Sequence, residues 1–235
     1  MSNSCFQFRE FIVQQEYCAM KVGVDSLILG SWIQSDNPRT ILDIGTGTGL
    51  LALMMAQRFS AQIHAIEIDE QAARQASENC NRSNWADRIK VEHISLQEFT
   101  SSNNKQYELI ISNPPYFTHL LKSNNEARNR ARHNDFLTSN TLLNSVSILL
   151  AEEGRFALIL PENEARRFEI KANIFGLYCE RKLNVKPKAT KGVHRMVMEF
   201  VRQKIRCSEE TICIRDVDGY SSAYRNLTKS FYLNL

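Results

Sequence analysis

The sequence predicts an α/β protein built on one open, mostly parallel seven-stranded sheet, with helices on both faces and an antiparallel hairpin at one edge. Three observations predict it. From Thr40 onward, short β-rich runs alternate with longer helical patterns, the sequence form of a parallel sheet with crossover helices. Three of the nine glycines crowd into Asp43-Ile44-Gly45-Thr46-Gly47-Thr48-Gly49, between the first strand-like run and the first helical one. Two β-type runs between Arg181 and Val201 are parted only by Pro187 to Gly192, with no room for a crossover helix of about a dozen residues, so they pair as a hairpin.

Taken in order, strands are expected over Thr40 to Ile44, Gln62 to Ile66, Lys90 to Ile94, Glu108 to Ser112, Phe156 to Leu160, Cys179 to Val185 and Arg195 to Val201. Helices are expected over Leu50 to Phe59, Glu70 to Asn81, Thr138 to Glu152 and Glu162 to Phe175, where apolar residues recur at steps of three and four. Before Thr40, Asp25 is placed to cap a helix from Ser26 to Ile33. After Arg206 there is one β-like run, Thr211 to Arg215, and then the aromatic-rich Ser230 to Leu235. The chain reads as a single domain over residues 1–235, with residues 206–235 as a tail that docks back on it.

Composition excludes the non-globular classes. Of 235 residues, 43% are hydrophobic and 23% charged, which rules out disordered and collagenous chains. The formal charge of +3 is too small to mark a polyanion-binding protein by itself, so any basic feature must be local. Arg9, Glu10, Glu16, Lys21 and Asp25 interrupt the first thirty residues, and no apolar run approaches the roughly 18 to 20 residues of a membrane span. A cytoplasmic protein is expected. Six scattered cysteines form no Cys-x-x-Cys pair and five histidines show no ligand spacing, so reduced thiols and no metal are expected.

The glycine cluster falls where an open α/β sheet has its ligand crevice, at the carboxyl end of a strand and the start of a helix. Glycines there let the chain turn with positive φ and let backbone amides approach a ligand without a Cβ collision. A dinucleotide fingerprint needs Gly or Ala where this chain has Leu50, which disfavours a nicotinamide-dependent oxidoreductase. Eighteen residues past Gly49, Glu67 ends the second strand, a spacing suited to a carboxylate that accepts both ribose hydroxyl protons. Asp69 is its rival, and a plain helix cap the simpler alternative. The Asp-x-Gly-x-Gly-x-Gly pattern resembles the first motif of class I, Rossmann-like methyltransferases that use S-adenosylmethionine. That resemblance implies that Asp43 helps hold the cationic methionine end over Gly45, Gly47 and Gly49, and that Ser95 and Leu96 pack around the adenine. Ser95 serves equally as an ordinary loop or capping serine.

Two of the five prolines stand together in Ile111-Ser112-Asn113-Pro114-Pro115-Tyr116-Phe117, after the fourth strand. Methylating an aromatic exocyclic amine is hard because its lone pair is delocalised, so acceptors for its hydrogens matter more than a base. The Asn113 side-chain oxygen and the Pro114 carbonyl each accept one hydrogen and steer the lone pair. Tyr116 offers a ring on which an extruded base stacks, worth roughly 1–3 kcal/mol. The motif resembles the Asn-Pro-Pro-Tyr signature of amino-methyltransferases, which act on adenine, guanine or protein glutamine amides. Glutamine enzymes carry a sizeable helical domain ahead of the glycine loop, where about forty residues stand here, and ribosomal guanine enzymes often have Phe in place of Tyr116. Both departures favour adenine.

Positive charge is local. Arg181 to Arg195 contains six Lys or Arg and no acid, with Lys186, Lys188 and Lys191 on or beside the expected hairpin tip. Between Phe117 and Leu137 lie Lys122, Arg128, Arg130, Arg132 and His133 against Glu126 and Asp135. Basic residues beside an aromatic base pocket are the footprint of RNA-loop recognition, and a solvated face is the bland alternative. Lys186, Lys188, Lys191, Arg195, Arg128, Arg130, Arg132 and His133 are therefore the expected RNA contacts.

Over most of its length the chain resembles the bacterial tRNA adenosine methyltransferases that modify valine tRNA beside the anticodon. Cys18-Ala19-Met20-Lys21-Val22-Gly23-Val24-Asp25, Ala131-Arg132-His133 and Leu227-Thr228-Lys229-Ser230-Phe231-Tyr232-Leu233 carry that resemblance. It implies methylation, from S-adenosylmethionine and without a metal, of the exocyclic amine of the adenosine at position 37, just 3′ of the anticodon, with tRNA bound by its anticodon loop. It also implies that residues 1–39 cover the cofactor, with Lys21 to Asp25 as a lid, although Asp25 serves equally as a helix cap. Ser26 stands where a small Gly-like residue is expected. The rivals are an amino-methyltransferase acting on ribosomal RNA or protein glutamine, and an RNA-binding protein that has lost catalysis.

Overall fold

The computed structural model describes residues 4–18, 21–115 and 137–232. A short hairpin, β1 (Cys5–Gln7) and β2 (Ile12–Gln14), precedes α1 (Val24–Trp32). The alternating body follows as β3 (Thr40–Ile44), α2 (Leu50–Arg58), β4 (Gln62–Glu67), α3 (Glu70–Asn81), β5 (Ile89–His93), α4 (Leu96–Ser102) and β6 (Tyr107–Ser112). Beyond residue 136 come α5 (Ser139–Leu149), β7 (Leu150–Pro161), α6 (Glu162–Ala172), β8 (Tyr178–Lys188) and β9 (Arg195–Val201). The chain then adds β10 (Ser208–Asp216), β11 (Gly219–Tyr220) and α7 (Ser222–Thr228).

The sheet runs β11-β10-β8-β9-β7-β6-β3-β4-β5. All seven expected strands lie in its β8-to-β5 block, within a residue or so for most and longer at β7 and β8. β3 to β7 are parallel, and β9 runs antiparallel to both β7 and β8 as the hairpin reading requires. Among the described residues this sheet has nine strands rather than the seven expected. The run after Arg206 lengthens into β10, which pairs parallel to β8, and β11 folds back on it. Ile212 and Ile214 pack on the core while Glu209, Thr211 and Arg215 are exposed, the period of a strand covered on one face.

Helix ends also move. α5 stops at Leu149, short of the expected Glu152, because Leu150 already pairs with Tyr107 as the first residue of β7. α6 stops at Ala172, and the residues to Phe175 form a 3-10 turn closed by Gly176 at φ 70°. α1 begins at Val24, so Asp25 lies inside the first turn and Gly23 holds the cap position without a side-chain bond. The β1–β2 hairpin, α4 and α7 are not among the expected elements. α4 nonetheless begins with a capping box, Ser95 with Glu98, that is written in the sequence.

Two apolar layers sandwich the sheet. On one face α1, α2, the hairpin residues Phe8, Phe11 and Val13, and Tyr224 of α7 share a core with Ile41, Leu109 and Val197. On the other, α4, α5 and α6 pack over Leu42, Ile110, Phe156 and Phe200. The two terminal segments meet on the first of these faces: Arg9 donates its backbone N–H to Phe231 O (2.9 Å) and its Nε to Tyr232 O (2.6 Å). Strand order reverses at β3, with β4 on one side and β6 on the other. That switch point opens a crevice at the carboxyl ends of β3 and β6.

Helices return to the opposite, amino end of the sheet, where arginines meet the carbonyls that a helix end leaves without partners. Arg58 donates to Gly30 O and Ile33 O (both 2.6 Å) behind α1. Arg88 donates to Ala56 O (2.9 Å) and Phe59 O (2.8 Å) behind α2, and Arg202 to Ser147 O and Leu150 O (both 2.7 Å) behind α5. Among the described residues no helix is long and apolar enough to cross a membrane.

Candidate active site

The glycine loop leaves β3 with three consecutive odd residues in left-handed backbone: Gly45 at φ 71°, Gly47 at 56° and Gly49 at 82°. A side chain is strained at each, since L-residues rarely adopt positive φ. Their surroundings differ. A Cβ on Gly49 would press on Cys80 Sγ (3.3 Å) and Ala76 (3.4 Å), so that glycine lets α2 sit close to α3. Among the described residues, a Cβ on Gly45 or Gly47 would meet no atom within 4 Å, so these two present bare backbone to the crevice.

Asp43 is completely buried beneath this loop. Its Oδ2 accepts from Thr46 Oγ1 (2.6 Å) and from Ala52 N (3.2 Å), the latter an orphan amide in the first turn of α2, whose cap residue Gly49 offers no side chain. Among the described residues its buried Oδ1 finds no hydrogen-bond partner. Burial pushes the Asp43 carboxyl up to about 7, opposed by the bonds from Thr46 and Ala52 and reinforced by the negative charge of Glu67. A buried acid with one oxygen unmatched, under two glycines that open onto a crevice, fits the cationic methionine end of S-adenosylmethionine.

Glu67 closes β4 and is half-buried. Its Oε2 accepts from Gly47 N (2.9 Å), and its Oε1 from Ile68 N (2.9 Å) and Asp69 N (3.0 Å), so it ties the glycine loop to the next strand. The helix-cap role falls to Asp69, whose Oδ1 accepts from Ala72 N at the head of α3. Ser95 caps α4, accepting from Glu98 N (3.2 Å) and donating to Glu98 Oε2 (2.7 Å), while Leu96 is buried beside it.

Across the switch point, Ser112 donates to Ile44 O (2.8 Å) and fastens the end of β6 to the root of the glycine loop. Asn113 is half-buried and Pro114 buried. Lys21, Val22, Ser26, Gly45, Gly47 and Asn113 line one crevice, which brings the two loops and α1 together. Asn113 Nδ2 donates to Ser26 Oγ (2.8 Å). Tyr116, Arg128, Arg130, Arg132 and His133 lie outside the described residues.

The basic run divides in two. Arg181 pairs with the fully buried carboxylate of Glu199 (2.9 Å) and lies over the Trp32 ring, and Lys182 pairs with Glu169 (2.8 Å). Arg195, an expected phosphate contact, is also tied to the fold: its Nε donates to Asp25 Oδ2 (2.7 Å) and its Nη1 to His194 O (3.1 Å). That bond also gives Asp25 a purpose other than capping. Lys188 and Lys191 are exposed at the hairpin tip and Lys186 is half-buried beside them; among the described residues no ion pair engages these three.

Three contributors to the site are not read from the sequence. Asn79, buried on α3, donates to Thr48 O and Gln14 O (both 2.8 Å) and accepts from Gln14 N (2.9 Å), clasping the N-terminal hairpin to the glycine loop. Gln15 Oε1 accepts from Val22 N (2.8 Å), which folds the segment before α1 over the crevice. Ser26 is the third. Each joins residues far apart in the chain or carries no spacing signal, and only the Ser95–Glu98 box had a local signature. Among the described residues no group of three or more His, Cys, Asp or Glu is placed to hold a metal ion.

The family model of the methyltransferase small domain matches residues 13–161. The chain is 43% identical to a tRNA1(Val) (adenine(37)-N6)-methyltransferase of Trichodesmium erythraeum, with 99% of each chain covered. It is 44% identical to the protein of that name from Bacteroides fragilis, with both chains covered completely. Among solved structures, it is similar to a predicted O-methyltransferase from Agrobacterium tumefaciens at TM-score 0.71 and 16% identity, covering 88% of this chain and 96% of that one. A methyltransferase from Pyrococcus furiosus is similar at TM-score 0.56 and 22% identity, covering 82% and 90%.

Proposed function

The chain belongs to the family of tRNA1(Val) (adenine(37)-N6)-methyltransferases, and from that premise we propose that it methylates the exocyclic amine of adenosine 37 in valine tRNA through the paired loops after β3 and β6. It is an S-adenosylmethionine-dependent enzyme. The observation that carries the residue-level reading is the meeting of Gly45, Gly47 and Asn113 in one crevice at the switch point.

S-adenosylmethionine supplies a methyl group on a sulfonium, a good leaving group, so in-line displacement needs positioning more than acid–base help. Asp43, ionised, balances the cationic end from below the loop, and Glu67, at the end of β4, holds the ribose hydroxyls. Ser95 and Leu96, at the head of α4, lie where the adenine packs. Residues 1–39 cover the cofactor, with Lys21 and Val22 on its crevice.

On the substrate side, Asn113 Oδ1 and the Pro114 carbonyl accept the two amine hydrogens and stabilise positive charge as it develops. Pro114 has no N–H to compete as a donor. Tyr116 stacks on the extruded adenine. Lys186, Lys188 and Lys191 stand about three strand spacings from β6, roughly 14 Å along the same sheet end, a reach suited to phosphates flanking an everted base. With Arg128, Arg130, Arg132 and His133 they bind the anticodon loop, while Arg195 braces α1. The protein works as one domain in the cytoplasm, where its tRNA is.

Incubation with radiolabelled S-adenosylmethionine and total unmodified tRNA, followed by nucleoside analysis, tests the reading. N6-methyladenosine from one valine tRNA is the expected product. Label that enters only ribosomal RNA or protein would keep the chemistry of the Asn113 loop and discard the substrate.

A further inference from the structure

We propose that Ser26 is a positioning residue for methyl transfer: it accepts a hydrogen bond from Asn113 Nδ2 and so holds the amide with its oxygen toward the substrate amine. This rests on the reading of Asn113 as the amine acceptor and adds what orients it.

An asparagine amide presents nearly the same shape in two orientations that exchange oxygen and nitrogen, because its terminal torsion is broad and roughly two-fold. Only one of them offers the amine an acceptor; the other points an N–H at it. Backbone restriction does not choose between them. Pro114 confines the Asn113 backbone to extended conformations but leaves its side-chain torsions free. Ser26 Oγ stands on the far side of the amide, 2.8 Å from Nδ2 and 87 residues away in sequence; a hydroxyl both accepts and donates, so this bond steadies the observed orientation rather than excluding the other.

Ser26 is itself held in place. Its neighbour Asp25 pairs with Arg195 at 2.7 Å, and Arg195 is paired across the sheet with Pro161 of β7, the strand beside β6. On the other side Gln15 fixes Val22 at 2.8 Å. The first turn of α1 is thus tethered to β9, two strands from β6, whose end carries Asn113.

The test is single-turnover methylation of tRNA by Ser26→Ala, Ser26→Thr, Asn113→Ala and the Ser26→Ala/Asn113→Ala double variant, with KM for tRNA, affinity for S-adenosylmethionine and Tm measured alongside. Loss of one orienting hydrogen bond should lower the rate about five- to tenfold in Ser26→Ala. KM, cofactor affinity and Tm should stay near the parent values, Ser26→Thr should restore the rate, and Ser26→Ala should cost nothing more once Asn113 is Ala. An unchanged or faster Ser26→Ala enzyme overturns the proposal, the faster one because it means that the serine was occupying the amide oxygen. The same rate loss with Asn113 absent also overturns it. Full turnover by Asn113→Ala would overturn the amine-acceptor reading together with this one, whereas loss in Asn113→Ala with normal Ser26→Ala overturns the Ser26 role alone.

Discussion

The two ends of the sheet are built from similar residues to opposite purposes. At the amino end the larger cavity, about 330 Å³, is lined by Arg155, Glu180, Arg181 and Arg206 among others. Its charges are largely matched inside the fold: Arg155 with Glu180, and Arg181 with Glu199 and Glu210. Nearby arginines cap helix carboxyl ends. At the carboxyl end the crevice is smaller, yet among the described residues Asp43 Oδ1 has no hydrogen-bond partner, a Cβ on Gly45 or Gly47 would meet no atom within 4 Å, and no ion pair engages Lys186, Lys188 or Lys191. Bare glycine backbone, rather than volume, sets the carboxyl-end crevice apart.

Substitutions at the carboxyl end should change chemistry, and those at the amino end stability. The largest effect is expected from Asn113→Ala, with turnover lower by about 10²–10³ and tRNA affinity retained, read by single-turnover kinetics beside a binding assay. Equal turnover would erase the distinction between the ends. The amino-end counterpart is Arg181→Ala, which leaves the buried Glu199 carboxylate unpaired and should cost about 3 kcal/mol by urea titration, with cofactor affinity of the folded protein unchanged.

Asp43 sharpens the comparison through pH. Its carboxyl ionises at 3.8 in the unfolded chain but near 7 in the fold, so the native state keeps an extra proton between those values. The contribution of Asp43 to the stability of the cofactor-free protein should therefore be full below about 4 and be lost as pH rises through about 7. Affinity for S-adenosylmethionine should do the reverse, rising through pH 7 as the carboxylate forms, and calorimetry across pH 6 to 8 in wild type and Asp43→Asn measures both. A flat profile in wild type would remove Asp43 from the cofactor site.

Gly47→Ala strains a backbone at φ 56° and puts a methyl into the open cradle; cofactor affinity should drop about tenfold or more, with about 1 kcal/mol lost in stability. The smallest effect is electrostatic. Changing Lys186 and Lys188 to Glu should flatten the slope of tRNA affinity against salt by one to two phosphate contacts, about 0.7 to 0.9 per contact, while Lys182→Glu should act through loss of its Glu169 pair and leave that slope alone.

What was legible in the sequence follows from the range of each signal. Strands β3 to β9 and the two loops announce themselves within a few residues, by alternation, by clustered glycines and by Asn113-Pro114-Pro115-Tyr116. The three-residue strands β1 and β2 fall below any period. Whether a basic residue faces RNA or fills an ion pair depends on partners elsewhere: Arg195 is neutralised by Asp25 170 residues away, and Arg181 by Glu199 across the hairpin. The Asn113–Ser26 bond is likewise beyond local reading, because only the β6-to-α1 packing brings its ends together.

If the carboxyl-end crevice methylates one exocyclic amine beside the anticodon, labelled S-adenosylmethionine offered with two valine tRNA transcripts, one with adenosine and one with guanosine at position 37, will yield N6-methyladenosine in the first and no label in the second. Equal labelling of both transcripts would overturn that assignment.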